Sequence, residues 1–378
     1  MTTAHKISPS FTPEVQSELQ GTLPNGNDSS IGTDLVGWTG FEKILDEGVA
    51  GGKLFTTETV STYGLVYTTS ATEAYRGGVL APNGDVQFVP MSANRGQKVS
   101  SSGVVSTYSL AYSVTNAYSG GCLAPNGDIH FAPFSANRGQ KISASGIVST
   151  YSLTYTTTSA YFGAAVAPNG DIHFVPLSAD RGQKVSSSGV VSTYSLVYTA
   201  SNAYRGSVLA PNGDIHFVPN NANRGQKISA AGVVSTYALV YTASTAYVGG
   251  VLAPNGDIHF IPNSANRGQK VDINGVVSTY SLVYTVANAY TGGVLAPNGD
   301  IHFVPNYANR GQKVDINGVV STYTLAHTVA NAYTGGCLDQ NGDIHFIPAG
   351  AKIGQKVHNN SGITFPKGIA LHPFTNKD

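Results

Sequence analysis

Glutamate disappears from this chain after residue 73. All six glutamates, Glu14, Glu18, Glu42, Glu47, Glu58 and Glu73, precede the repetitive body that fills most of the 378 residues. A carboxylate cluster within that body would have to be built from aspartate alone. Charge is scarce as well: 11% of residues are charged and the formal net charge is zero, which excludes the concentrated basic face of a nucleic-acid binder. The imbalance along the chain is mild, with nine acids against four bases in residues 1–80 and seventeen bases against twelve acids in residues 81–378. There are only two cysteines, too few for a disulfide scaffold. Cys122 and Cys337 share a position that other stretches fill with Val79, Ala165, Val208, Val251 and Val294, so both read as small core residues. No run approaches the roughly eighteen apolar residues of a membrane span, and the opening MTTAHKISPSFTPEVQSEL lacks a charged start followed by an apolar stretch. No secretion or membrane signal is therefore expected.

What the sequence has is repetition. Ala-Pro-Asn-Gly-Asp recurs at Ala81, Ala124, Ala167, Ala210, Ala253 and Ala296, every 43 residues, with Asp339-Gln-Asn-Gly-Asp as an altered seventh copy. A fixed period of this length marks a supersecondary unit that must stack on its neighbours to bury a core. Gly-Val-Leu-Ala and Asp-Ile-His-Phe-Val-Pro flank Asn-Gly as two arms of a tight type I′ hairpin. Gly-Gln-Lys-Val and Val-Val-Ser-Thr-Tyr-Ser-Leu-Val-Tyr supply a third and a fourth strand, rich in Val, Thr and Tyr and without helical period. One such sheet cannot offset the chain entropy of its own residues. Radial stacking as the blades of a β-propeller can.

The spelling Gly-Val-Leu-Ala-Pro-Asn-Gly-Asp-Ile-His-Phe-Val-Pro, followed by Asn-Arg-Gly-Gln-Lys-Val and a later Asn-Gly, resembles the NHL repeat over Ala81 to Val357. The resemblance implies a propeller. It departs from the NHL pattern in the Pro that ends each second strand (Pro90, Pro133, Pro176, Pro219, Pro262, Pro305, Pro348) and in His where Tyr is usual. Ser-Thr-Tyr occurs seven times, at Tyr63, Tyr108, Tyr151, Tyr194, Tyr237, Tyr280 and Tyr323, and its first copy precedes every first strand. The expected fold is therefore an all-β, seven-bladed propeller over residues 53–360. The strand around Tyr63 should complete the last blade beside Gly354 to Val357, removing open sheet edges. Residues 1–52 form an arm that could dock on a partner, and residues 361–378 a tail.

Candidate chemistry is sparse. His130, His173, His216, His259, His302 and His345 lie one to a blade and cannot converge on an ion, since a zinc site needs three or four ligands around one centre. They read as packed, hydrogen-bonded residues. Asp85, Asp128, Asp171, Asp214, Asp257, Asp300 and Asp343 read as turn residues that satisfy hairpin amides. Arg95, Arg138, Arg181, Arg224, Arg267 and Arg310 read as braces between loops. Some propellers similar to NHL proteins are lactonases or lyases that hold a metal in the central channel with acids, Asn or His. Here the channel strand reads nearly alike in every copy, so no metal, no cofactor and no enzymatic activity are expected.

Differences between copies fall at two positions. The residue after the repeated Tyr is Arg76, Ser119, Phe162, Arg205, Val248, Thr291 or Thr334; the residue after the second-strand Pro is Met91, Phe134, Leu177, Asn220, Asn263, Asn306 or Ala349. Both sets should ring one rim of the disc, where loops on a rigid scaffold commonly carry recognition. Tyr75, Tyr118, Tyr161, Tyr204, Tyr247, Tyr290 and Tyr333 should add aromatic surface suited to proteins or sugars. The expectation is a non-catalytic binding or structural module. Its neutral polar surface and leading arm resemble, in style, repeat-built accessory proteins of virus or phage particles, with other proteins of the assembly bound through the arm. A glycan-binding lectin with repeated sites is the alternative, and a lactonase-like enzyme a third.

Overall fold

The structure, a computed structural model, describes residues 59–68 and 73–358. The proposed arm and tail lie outside the described residues, as do the partner contacts expected of the arm. Strands β1 to β28, numbered in chain order, form seven antiparallel sheets of four. In the first blade, β2 (Tyr75–Leu80), β3 (Val86–Pro90), β4 (Arg95–Val99) and β5 (Val105–Ser109) follow one another from the axis outward. The last blade is completed across the termini: β26 (Tyr333–Leu338), β27 (Ile344–Pro348) and β28 (Ile353–His358) are joined by β1 (Thr59–Gly64). The register runs from Thr59 opposite His358 to Tyr63 opposite Gly354. The seven-bladed ring and its closing strand are thus as the repeat count predicts.

The hairpin between the first two strands differs from expectation. Gly84 has φ 84°, but Asn83 is not among the residues of positive φ, and the Gly84 amide donates to the Ala81 carbonyl at 2.9 Å. This is a type I turn closed by a left-handed glycine. The reason is Pro82, whose ring presets the first central position of a type I turn. The Asn side chain then serves the turn itself, with Asn126 Oδ1 accepting from the Asp128 amide at 3.0 Å.

Each apolar core lies across a seam between blades. Val79 and Val89 of the first blade pack with Ala117, Tyr118, Ile129, Phe131 and Ile142 of the second, and the pattern repeats around the ring. No sheet owns a core, which is why the repeats must stack. Outer strands are tied down by the repeated Tyr. Tyr194 lies over Gly182, its cross-strand partner, so closely that a Cβ on that glycine would meet the ring at 2.1 Å. Its hydroxyl lies 3.2 Å from Nδ1 of His173. Arg95, Arg138, Arg181, Arg224, Arg267 and Arg310 stack over Tyr67, Tyr112, Tyr155, Tyr198, Tyr241 and Tyr284 at 4.7–5.1 Å. In the seventh copy Ile353 and His327 stand at these two positions, so both halves of the brace change together.

Candidate functional site

In every blade the first strand carries a β-bulge directly after its Tyr. In the third blade Tyr161 pairs with Pro176 and the register resumes only at Ala164, leaving Phe162 and Gly163 unpaired. A bulge bends a strand and re-aims its side chains. Here it turns one variable residue per blade toward the axis and puts a glycine beside it. Gly77, Gly120, Gly163, Gly206, Gly249, Gly292 and Gly335 all have positive φ and form a closed ring, each against the next. A Cβ on Gly206 would lie 2.9 Å from the Cα of Gly249, and one on Gly335 2.9 Å from the Cα of Gly77. No L side chain fits there.

Above this ring lies a cup of about 390 Å³. Among the described residues three charged side chains line it, Glu73, Arg76 and Arg205, together with Phe162, Val248, Thr291, Asn306 and Tyr307 among others. The Arg76 and Arg205 guanidiniums each lie 5.2 Å from the Phe162 ring centre, so residues of the first and fourth blades converge on a residue of the third. Phe134 braces that ring edge-on at 6.4 Å. Glu73 accepts a hydrogen bond from Arg76 Nη2. Arg205 forms no ion pair or hydrogen bond with another described residue, and its Nε, like that of Arg76, is buried without a partner. Burial, followed by the neighbouring Arg76 charge, pulls the Arg205 pKa down to about 10.

Of the residues singled out from the sequence, the structure brings Arg76, Phe162, Arg205, Val248, Thr291, Asn263, Asn306 and Thr334 to the cup. Several of these, and most of the other assignments, are buried rather than displayed on the rim. Tyr75, Tyr118, Tyr161, Tyr204, Tyr247, Tyr290 and Tyr333 present no aromatic surface: they are among the largest fully buried side chains. Tyr75 to Tyr290 donate their hydroxyls to the carbonyls of Arg95, Arg138, Arg181, Arg224, Arg267 and Arg310. Met91, Leu177, Asn220, Asn263 and Asn306 are likewise buried, because the loop after each second strand folds into the next seam. Asn220, Asn263 and Asn306 donate Nδ2 to the carbonyls of Tyr247, Tyr290 and Tyr333 in the following blade, at 3.1, 2.8 and 3.0 Å. Thr291 and Thr334 donate Oγ1 to the carbonyls of Tyr333 and Tyr75. Ser119 and Val248 are buried.

Glu73 precedes the repetitive body, yet among the described residues it is the carboxylate that lines the cup. The available signal was its alignment with Asn116, Ser159, Asn202, Thr245, Asn288 and Asn331, each two residues before the repeated Tyr. The histidines do not reach the cup. His130 and His216 line grooves beside the Pro-Asn turns on the opposite face, and burial, then the neighbouring lysine, pulls His130, His173, His216 and His259 down to about 4. The turn aspartates hold lysines, as in Asp171 with Lys184 at 2.6 Å. Among the described residues no three His, Cys, Asp or Glu side chains gather as metal ligands. With one carboxylate already held by an arginine, the cup's donors do not suit the channel metal of lactonase-like propellers.

The sequence pattern of the virginiamycin B lyase family matches residues 67–355. Among solved structures, a streptogramin B lyase superposes with a TM-score of 0.68 at 23% identity, over 80% of this chain and 98% of its own. Virginiamycin B lyase from Staphylococcus aureus gives 0.68 at 20% identity, over 79% and 99%. A catalytically inactive His-to-Ala form of the same enzyme with quinupristin gives 0.68 at 21% identity, also over 79% and 99%. At these identities the likeness is one of fold. No curated protein sequence matches this one. The family match overturns the expectation of a non-catalytic module of a virus or phage particle and, with it, the lectin alternative: the family is one of enzymes.

Proposed function

This chain belongs to the virginiamycin B lyase family, and we propose that its axial cup is the substrate site of a lyase, with Glu73 as the proton acceptor. The observation that supports this is the meeting of Glu73, Arg76 and Arg205 at one end of the axis. A lyase breaks a bond without adding water. A base takes a proton from carbon, the freed electron pair forms a double bond, and the group on the adjacent carbon departs with the electrons of its own bond. Glu73 is the carboxylate that lines the cup among the described residues, and the guanidiniums of Arg76 and Arg205 that line it too suit the departing negative charge, which a preorganised cation stabilises most where water is scarce. The substrate would be a streptogramin B compound such as quinupristin, after the relatives' names.

The strand histidines are not assigned the part of the base, because their Nδ1 atoms face tyrosine hydroxyls away from the cup. Incubating the full chain with quinupristin and weighing the products tests the reading. Elimination leaves the summed product mass equal to that of the substrate, whereas hydrolysis adds one water. Glu73→Gln should slow consumption by roughly a hundredfold or more. Quinupristin left intact by the full chain, or an unchanged rate in the variant, overturns the assignment.

A further inference from the structure

A buried imidazole nitrogen with no protein partner leaves a hydrogen bond for something else to make. The turn face has such nitrogens. Between the second and third blades a groove of about 310 Å³ is lined by Ala124, His130 and Lys141 on one side and by Pro168, Ile172 and Val185 on the other. Between the fourth and fifth, Ala210, His216 and Lys227 line a smaller one of about 110 Å³. His130 and His216 are only 6% and 5% exposed. Their Nδ1 atoms face the hydroxyls of Tyr151 and Tyr237, and no described residue hydrogen-bonds Nε2 of either ring.

The seventh copy shows what fits at that nitrogen. The residue six positions before the histidine is Ala124 or Ala210 in these two blades, but Asp339 before His345. His345 keeps the same tyrosine contact, with Nδ1 at the Tyr63 hydroxyl. Its Nε2 lies 3.2 Å from Asp339 Oδ2, while Oδ1 accepts from the Asn341 and Asp343 amides. Burial pushes the Asp339 carboxyl up, but the hydrogen bond from His345 outweighs it and holds the group below the ordinary carboxylate range. Where alanine replaces Asp339, the carboxylate is gone and the groove is open.

We propose that these grooves bind small aliphatic carboxylic acids as carboxylates, one oxygen accepting from histidine Nε2 in the place that Asp339 fills in the last blade. Lys141 and Lys227 put a cation beside that oxygen, shared with Asp128 and Asp214. Pro168, Ile172 and Val185 give the hydrocarbon part of the ligand apolar contact. The grooves lie on the face opposite the cup, so binding there is independent of the lyase reading.

Isobutyrate, titrated into the full chain while proton–nitrogen correlation spectra of the histidine rings are recorded, tests this directly. Nε2 of His130 and His216 should shift and saturate on the order of millimolar, the scale for so small a ligand. His345 should not respond, because Asp339 already holds its Nε2. Isobutyramide, of the same shape without the charge, should bind at least about tenfold more weakly. Ala124→Asp should silence His130 and spare His216, and Ala210→Asp should do the reverse. Urea unfolding establishes that both variants are folded. No saturable shift at His130 and His216, an equal response at His345, equal binding of the amide, or a His130 response that survives Ala124→Asp overturns the proposal.

Discussion

On the face of the disc that carries the Pro-Asn-Gly turns, each blade repeats its neighbour's contacts: Lys98 with Asp85, Lys141 with Asp128, Lys184 with Asp171, Lys227 with Asp214 and Lys270 with Asp257, at 2.6 or 2.7 Å. On the cup face the same backbone carries Arg76, Ser119, Phe162, Arg205, Val248, Thr291 and Thr334 at one repeated position. Among the described residues, unlike side chains from non-adjacent blades meet there, as Arg76 and Arg205 do over Phe162. Chemistry needs unlike groups at one point, and a ring of identical units supplies them only where its copies differ. The turn face builds the disc, and the cup face carries the proposed chemistry.

Glycines on the two faces should separate most sharply. Gly206 on the cup ring and Gly189 in an outer turn share a positive φ, but a Cβ on Gly189 meets nothing within 4 Å while one on Gly206 meets the Gly249 backbone. Gly189→Ala should cost about 1 kcal/mol from conformation alone, and Gly206→Ala about 3 kcal/mol. Equal shifts in urea midpoint would remove the contact from the account. Next in size is the turn-face pair. Asp128→Asn, Asp171→Asn and Asp214→Asn should each cost roughly 1–2 kcal/mol, discounted because the lysines are about a third exposed. The three values should agree within about 0.5 kcal/mol. A wide spread among them would show that the turn face is less uniform than its sequence.

The acid response is smaller per site. For His130, His173, His216 and His259 the folded-state pKa of about 4 lies below the ordinary 6.5. Between those values the unfolded chain binds more protons than the folded one, so stability is full above about 6.5 and falls as pH drops toward 4. The first blade supplies the control, because Gln87 replaces the histidine and leaves the Tyr108 hydroxyl unpaired. His173→Gln should cost about 1 kcal/mol at neutral pH and flatten the acid slope by one histidine's share. An unchanged slope in denaturation at stepped pH would assign acid sensitivity elsewhere.

Much of the fold was legible because each copy repeats the same local instructions. Seven Ser-Thr-Tyr segments, the first ahead of every first strand, place Tyr63 against Gly354. Asn-Gly alone points to a type I′ turn, but the proline before it makes the turn type I. Variation between copies picked out Arg76, Phe162, Arg205 and Thr291 of the cup. Asn220, Asn263 and Asn306 vary for another reason, as alternative means of satisfying a carbonyl in the next seam. Tyr75 and its counterparts were placed outside because aromatic repeats suit both surface and core, and only the bulge beside them turns their rings inward. Glu73 went unread because it belongs to the first, irregular copy, where alignment with Asn116 is the only sign of its place.

The central claim is that the cup face acts and the turn face supports, and paired variants test it most directly. Quinupristin consumption and urea unfolding are measured for Arg205→Gln and Lys184→Gln in the full chain. The account predicts that Arg205→Gln lowers kcat/KM by roughly tenfold or more with little change in unfolding free energy, while Lys184→Gln lowers the unfolding free energy by about 1 kcal/mol and leaves kcat/KM unchanged. The reverse pattern, with turnover lost at Lys184 and kept at Arg205, would contradict it.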